Sequence, residues 1–166
     1  LVGDSLGNVL YGMKSTKNVS IETMILHGKA VRNFVKKSLV VVDMPYKTYE
    51  TKTSALKNAR KIIKETNCDA VKLEGGKKVI KQIDFLIKNK IPVMGHLGLL
   101  PQSAKGKFKS KGKTTREKKQ LFEDAILLQK AGVFSIVLEC VKTQSAKKIS
   151  ENLDIPTIGI GSSVYC

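Results

Sequence analysis

Apolar residues along this chain follow two alternating rhythms. Short β-branched runs occur at Leu1–Gly3, Leu39–Asp43, Ala70–Leu73, Ile91–Gly95, Phe134–Leu138 and Thr157–Ile160. Each is too short for a helix and is bounded by Gly, Pro or charge, the mark of a buried strand. Between them the apolar positions fall at three- and four-residue spacing. Ile21, Ile25, Val31 and Val35 share one helical register; Leu56, Ala59, Ile62 and Ile63 share another; Val79, Ile83, Leu86 and Ile87 a third. The segment "LFEDAILLQKAG" ends on Gly132, a residue suited to the left-handed position that closes a helix.

Strand alternating with helix predicts βαβ units and a parallel sheet, whose strands are covered on both faces and so read as continuous apolar runs. The pattern predicts six strands and five connecting segments, beginning within a strand at Leu1 and stopping just past another at Ile160. This is the expectation for an α/β (β/α)8 TIM barrel, which needs about 250 residues. Residues 1–166 then form a single catalytic barrel domain, an internal fragment of about six of the eight βα units, truncated at both ends. A six-stranded open doubly wound sheet is the alternative. The barrel is preferred because function in that fold gathers at the carboxyl ends of many strands, and that is where this chain places its charges.

Taken in order, the run ends carry Asp4 and Ser5, then Asp43, then Lys72 and Glu74, then His96, then Glu139, and finally the glycine-rich "IGIGSS". Parallel strands bring these ends to one face. Asp4, Asp43 and Glu74 then form an all-oxygen set suited to Mg2+, which keeps several waters and takes one or two carboxylates with substrate oxygens. A single acid at a strand end is ordinarily a helix cap or a solvated loop residue. Repetition over successive strands weakens that explanation, and Asp43 precedes Met44-Pro45 rather than a helix start. Lys72 and Glu74, two apart, share a side of their strand; the plain alternative is a structural ion pair. His96 lies between Gly95 and Gly98, which leaves room for a ligand, although a buried His often bonds only backbone.

Such a set suits a 2-oxo acid, chelated through its ketone and carboxylate oxygens, with the cation stabilising the enolate formed when the adjacent carbon loses a proton. A Lys and a Ser nearby would hold the substrate carboxylate. Glu139, outside the metal group, is left for acid–base work, its pKa open to elevation by burial beside Val137 and Leu138.

Composition narrows the classes. The chain has 166 residues, 42% of them hydrophobic, enough for a real core. No stretch approaches the roughly 18 apolar residues of a membrane span, and neither end has a signal-peptide layout. The expectation is a soluble cytoplasmic protein with no membrane partner. Cys68, Cys140 and Cys166 show no metal spacing and read as reduced thiols. The net charge of +16 is almost all lysine, spread along the predicted helices. Base readout favours Arg and stacking favours aromatics, which make up only 5% of the chain, so no nucleic-acid partner is expected. The one dense cluster is "KGKFKSKGK", residues 105–113.

The stretches "VGDSLGNVLYG", "VVDMPY", "VKLEGG", "GHLGLLPQS", "VLECV" and "IPTIGIGSS" resemble, in order and spacing, the ketopantoate hydroxymethyltransferase (3-methyl-2-oxobutanoate hydroxymethyltransferase) family. The resemblance covers essentially the whole chain. It implies a (β/α)8 barrel and Mg2+-dependent transfer of a one-carbon unit from 5,10-methylenetetrahydrofolate to 3-methyl-2-oxobutanoate. The product would be 2-dehydropantoate, on the route to pantothenate and coenzyme A. Motif by motif, it implies Asp4 and Asp43 as direct metal ligands and Glu74 in the metal shell through water. Ser5, Asp43, Lys72 and His96 would contact the oxo acid, and Glu139 would be the catalytic acid/base. It further implies a homo-oligomer, a decamer in the full-length protein. One departure is the loop "AKGKFKSKGKTTREKK", shorter and richer in lysine than is usual where a flap would cover the site. Lys105, Lys107 and Lys109 would there attract a polyglutamylated folate. Related Mg2+-dependent oxo-acid lyases or carboligases on a barrel, and a basic nucleic-acid-binding module, are the alternatives.

Overall fold

The computed structural model describes residues 1–104 and 108–166; Lys105 and Lys107 of the lysine cluster lie outside them. Five strands form one parallel sheet: β1 (Val41–Asp43), β2 (Ala70–Glu74), β3 (Val93–Gly98), β4 (Ser135–Glu139) and β5 (Thr157–Ile160). Their order in the sheet is their order in the chain. A doubly wound sheet reverses direction at a switch point; this one advances steadily one way, as a segment of a barrel wall does. The helices α2 (Ile21–Phe34), α3 (Lys52–Thr66), α4 (Ile80–Lys88), α5 (Thr115–Ala131) and α6 (Thr143–Glu151) follow suit, each packed on the next. A single turn, α1 (Leu6–Val9), opens the chain.

The first predicted strand corrects the count of six. Leu1–Gly3 contributes one parallel bridge, Val2 to Val42, rather than a strand of its own. The Val2 N–H donates to Val41 O at 2.8 Å, and the Asp43 N–H donates back to Val2 O at 3.0 Å. Those two bonds are enough to set Asp4 beside β1.

Local signals place the helices. Thr51 caps α3 through a reciprocal box with Ser54, and Thr114 caps α5 with Glu117; each box satisfies two otherwise orphaned backbone donors. Gly132 ends α5 at φ 95°, as its position predicts. In α2 the buried face is Met24, Ile25 and Gly28, and Val31 is 38% exposed. The small residue explains the shift of face. A Cβ on Gly28 would come within 2.8 Å of Thr66 and 3.2 Å of Val42, so α2 sits too close to α3 and β1 for any side chain there.

Strand periodicity then divides the side chains into two layers. One face of the sheet packs against the helices in the main core, with Val42, Leu73, Ile136 and Leu138 at its centre. On the other face Val41, Ala70, Met94 and Val137 make a small second apolar cluster, with Phe134 against it. Two residues further along each strand, on that same inner face, come Asp43, Lys72, His96 and Glu139. The inner face thus has an apolar floor and a charged layer directly above it, at the carboxyl ends. No helix among the described residues is long and apolar enough to cross a membrane.

Candidate active site

A cavity of about 170 Å³ opens at the carboxyl ends of the strands, and all seven residues singled out in the sequence line it: Asp4, Ser5, Asp43, Lys72, Glu74, His96 and Glu139. A larger groove of about 400 Å³ runs between α5 and α6, lined by Lys118, Lys119, Phe122 and Lys148, with no acid among its lining residues.

The charged layer is a continuous relay of contacts across four strands. Lys72 Nζ lies 2.7 Å from Asp43 Oδ1 and 2.9 Å from His96 Nδ1. His96 Nε2 lies 3.4 Å from Glu139 Oε2. On the far side of Asp43, its Oδ2 accepts the Asp4 backbone N–H at 3.1 Å. The Asp43–Lys72 contact is an ion pair off the directions of a hydrogen bond, and Asp43 Oδ1 has no hydrogen-bond donor among the described residues. The acids do not cap helices; Ser5, at the N-cap of α1, makes no side-chain capping bond either.

Burial sets the electrostatics. Asp4 is pushed up to about 6, first by loss of solvent and then by the neighbouring Asp43 carboxylate. Glu74 is raised to about 8, again chiefly by burial; Lys72 opposes the shift, while Asp4 and Asp43 add to it. Burial alone would pull Lys72 down, but Asp43, Glu74 and Asp4 together hold its ammonium above the usual lysine range. His96 is held below its ordinary value by burial and by the Lys72 charge, against the pull of Glu139. In a chain of net charge +16, the described residues that line this pocket include four carboxylates and one lysine.

Those facts bear on a cation. Buried like-charged carboxylates resist joint ionisation unless a positive charge joins them. Asp4 and Asp43 are adjacent carboxylates on the cavity wall, and although Asp43 Oδ1 is paired with the Lys72 ammonium, the chemistry of the two acids suits a hard cation such as Mg2+. The expected trio is not drawn together as a ready-made ligand group: among the described residues no three His, Cys, Asp or Glu side chains are gathered for a metal. Glu74 instead turns its Oε2 to the Gln102 backbone N–H at 3.1 Å.

Two expectations from the sequence change. Gly95 and Gly98 do not make room for a ligand beside His96. A Cβ on Gly95 would meet Leu128 of α5 at 3.0 Å, on the outer face, and one on Gly98 would meet Glu139 O at 2.2 Å. Gly98, at φ 97°, lets β3 turn inward, so that the Leu99 N–H reaches Glu139 O at 2.8 Å. Leu138 belongs to the outer core, so only Val137 lies beneath Glu139 on the inner face.

Sequence reasoning missed Gln102, which is 2% exposed. Its Nε2 donates to Asp4 Oδ2 at 2.8 Å and to Met44 O at 3.0 Å, and its Oε1 accepts from Tyr49 Oη at 2.6 Å. The only signal for it was a polar residue inside "GLLPQS"; no periodicity marks a residue in a turn.

Fold and site together define a parallel α/β half-barrel with a buried acid–lysine–histidine cluster at the carboxyl ends of its strands. The chain belongs to the ketopantoate hydroxymethyltransferase family, whose model matches residues 1–166. It is 63% identical over 166 residues to 3-methyl-2-oxobutanoate hydroxymethyltransferase of Pelagibacter ubique and 52% identical over 169 residues to that of Clostridioides difficile. Each alignment covers 100% of this chain but only 64% and 62% of the relatives' length. Among solved structures it resembles 2,3-dimethylmalate lyase, a PEP mutase/isocitrate lyase superfamily member, with a TM-score of 0.71 at 12% identity over 95% of this chain and 56% of that one. It also resembles phosphoenolpyruvate phosphomutase from Streptomyces platensis subsp. rosaceus, with a TM-score of 0.68 at 10% identity over 99% of this chain and 67% of that one. At those identities the likeness speaks for the fold alone.

Proposed function

We propose that this chain forms the catalytic part of a 3-methyl-2-oxobutanoate hydroxymethyltransferase. It would transfer the one-carbon unit of 5,10-methylenetetrahydrofolate to 3-methyl-2-oxobutanoate and give 2-dehydropantoate. The observation that carries this reading is the unbroken line Asp43–Lys72–His96–Glu139 on the cavity wall, in a chain 63% identical to a relative of that name.

Asp4 and Asp43 would hold Mg2+, with Glu74 behind them in its water shell. When bound, Mg2+ supplies Lewis-acid withdrawal of electrons from the ketone of the oxo acid, which acidifies the neighbouring C3–H. Lys72 and Ser5 hold the substrate carboxylate, with Asp43 and His96 bounding its place. Lys72 suits this role because its neighbouring acids keep it cationic in a buried position.

Glu139 is the proton acceptor. It is the acid of the layer farthest from Asp4 and Asp43, and 19% of its side chain remains exposed at the cavity mouth. A carboxylate Oε takes the C3 proton, and C3 forms a bond to the one-carbon unit as one of the two C–N bonds joining that carbon to the folate breaks. The second C–N bond breaks as water supplies the hydroxyl group, and the two folate nitrogens take up two protons, the one Glu139 removed from C3 and one from the water. His96 Nε2, 3.4 Å from Glu139 Oε2 and without a hydrogen-bond partner among the described residues, bounds the place of that carboxylate.

The test is formation of 2-dehydropantoate by the whole protein from the oxo acid and the methylene folate with Mg2+. Activity that needs Mg2+, the folate and Glu139 supports the reading. Cleavage of a 2-hydroxy or 2-methyl diacid without folate would instead make this a lyase. The cytoplasm and a homo-oligomer, a decamer at full length, belong to the same proposal.

A further inference from the structure

Gln102 touches both acids that flank the Asp43–Lys72 pair, and nothing above gives it a part in the reaction. It sits in the turn after β3. The Ser103 N–H closes that turn on Leu100 O at 3.0 Å, and the Leu99 N–H anchors its base on Glu139 O. From there the backbone N–H of Gln102 holds Glu74 Oε2, and its side chain crosses to Asp4 Oδ2 and Met44 O. One residue thereby ties β2, the end of β1 and the Val2 bridge segment together.

The amide can do this in one orientation only. At neutral pH Asp4 Oδ2 and Met44 O only accept, so Nε2 with its two N–H groups must face them. Oε1 is then left to accept the proton of the Tyr49 hydroxyl at 2.6 Å, which holds the amide from its other end. Turned over, the amide would set its oxygen against a carboxylate and a carbonyl. That loses two hydrogen bonds in a buried place, where an unmatched polar group is expensive.

We propose that Gln102 is a positioning residue, locked by Tyr49, that fixes the Asp4 carboxylate and sets the site's affinity for a divalent cation. By occupying Oδ2 it fixes the rotation of the carboxylate of Asp4, which lines the cavity. Partners behind a metal ligand commonly change metal affinity by about 10- to 100-fold. The cation role rests on the functional reading above; the lock itself rests on the contacts alone.

The test uses the whole protein and Mn2+ alone as probe, with free Mn2+ counted by electron paramagnetic resonance. Gln102→Ala keeps the backbone N–H for Glu74 and should weaken Mn2+ binding by about 10-fold or more, in protein shown to be folded by circular dichroism. Gln102→Glu should do the same with the shape retained. Tyr49→Phe should give a smaller loss, and Tyr49→Phe with Gln102→Ala should be no worse than Gln102→Ala alone. Parent-like Mn2+ affinity in folded Gln102→Ala and Gln102→Glu overturns the proposal, and so do additive losses in the double variant. A role in folding alone would lower the melting temperature without moving the affinity. A parent that binds no Mn2+ overturns the cation role and the functional reading with it. The lock is then judged separately by nuclear magnetic resonance. Two resolved, slowly exchanging Gln102 side-chain amide protons that become fast-exchanging in Tyr49→Phe support it; fast exchange in the parent overturns it.

Discussion

Lys72 Nζ lies 2.9 Å from His96 Nδ1, and that contact decides which imidazole nitrogen carries the proton. An ammonium has donors and no lone pair, and the acids around Lys72 keep it charged. Nδ1 must therefore accept, and the proton of a neutral imidazole goes to Nε2, facing Glu139. Nitrogen-15 chemical shifts should show a bare Nδ1 and a protonated Nε2 for His96 from pH 8 down to the ordinary imidazole value of 6.5, where the neutral form should still predominate because burial and Lys72 hold its pKa low. A proton on Nδ1 in that range contradicts the relay.

The Asp43–Lys72 pair makes Asp43 a structural residue as well as a site residue, since both side chains are only 4% exposed. Asp43→Asn leaves a buried ammonium short of its nearest counter-charge. Removing one partner of a buried pair costs about 3 kcal/mol or more, and urea unfolding should show it. Asp43→Asn together with Lys72→Met should recover part of that loss while remaining inactive. A single variant as stable as the parent would mean that Glu74 and Asp4 alone satisfy Lys72.

Asp4 and Glu74 give stability a particular dependence on pH. Their folded values, about 6 and about 8, lie above the ordinary 3.8 and 4.5. Between those values the folded state binds more protons than the unfolded state. Their contribution is therefore fully present below about pH 4 and is lost as pH rises through 6 and then 8. In the absence of divalent cations, the stability difference between parent and Asp4→Asn/Glu74→Gln should shift against the parent from pH 5 to pH 8. Added Mg2+ should stabilise the parent more at pH 8 than at pH 5, when both acids are free to ionise. A difference independent of pH would contradict the buried, crowded state of these two acids.

Much of this architecture could be read from the chain, and the reasons are specific. Val41 and Asp43, Ala70 and Lys72, and Val137 and Glu139 are each two apart, so strand periodicity alone puts charge above an apolar floor. The parallel register then brings those ends together. Leu1–Gly3 makes one bridge to β1, at Val2, before the chain turns at Asp4 into α1. The helix over Val31 was legible, but its half-exposed position was not, because helical spacing counts apolar residues and cannot see that Gly28 is where α2 approaches β1. The glycines around His96 serve Leu128 and the Glu139 carbonyl, neighbours brought near only by the folded chain. Gln102 was beyond reach for a similar reason. Its partners Asp4, Met44 and Tyr49 are 98, 58 and 53 residues away in sequence, and its place is set by a turn.

The proposed activity requires this cavity to take a proton from the carbon next to the ketone of a 2-oxo acid. It is tested most directly by proton NMR of 3-methyl-2-oxobutanoate in D2O, without folate. The whole protein with Mg2+ should replace the C3 proton with deuterium, and Glu139→Gln should slow that exchange by about 100-fold or more, as loss of a general base does. Exchange at the parent rate in Glu139→Gln, or equally fast without Mg2+, would contradict the account.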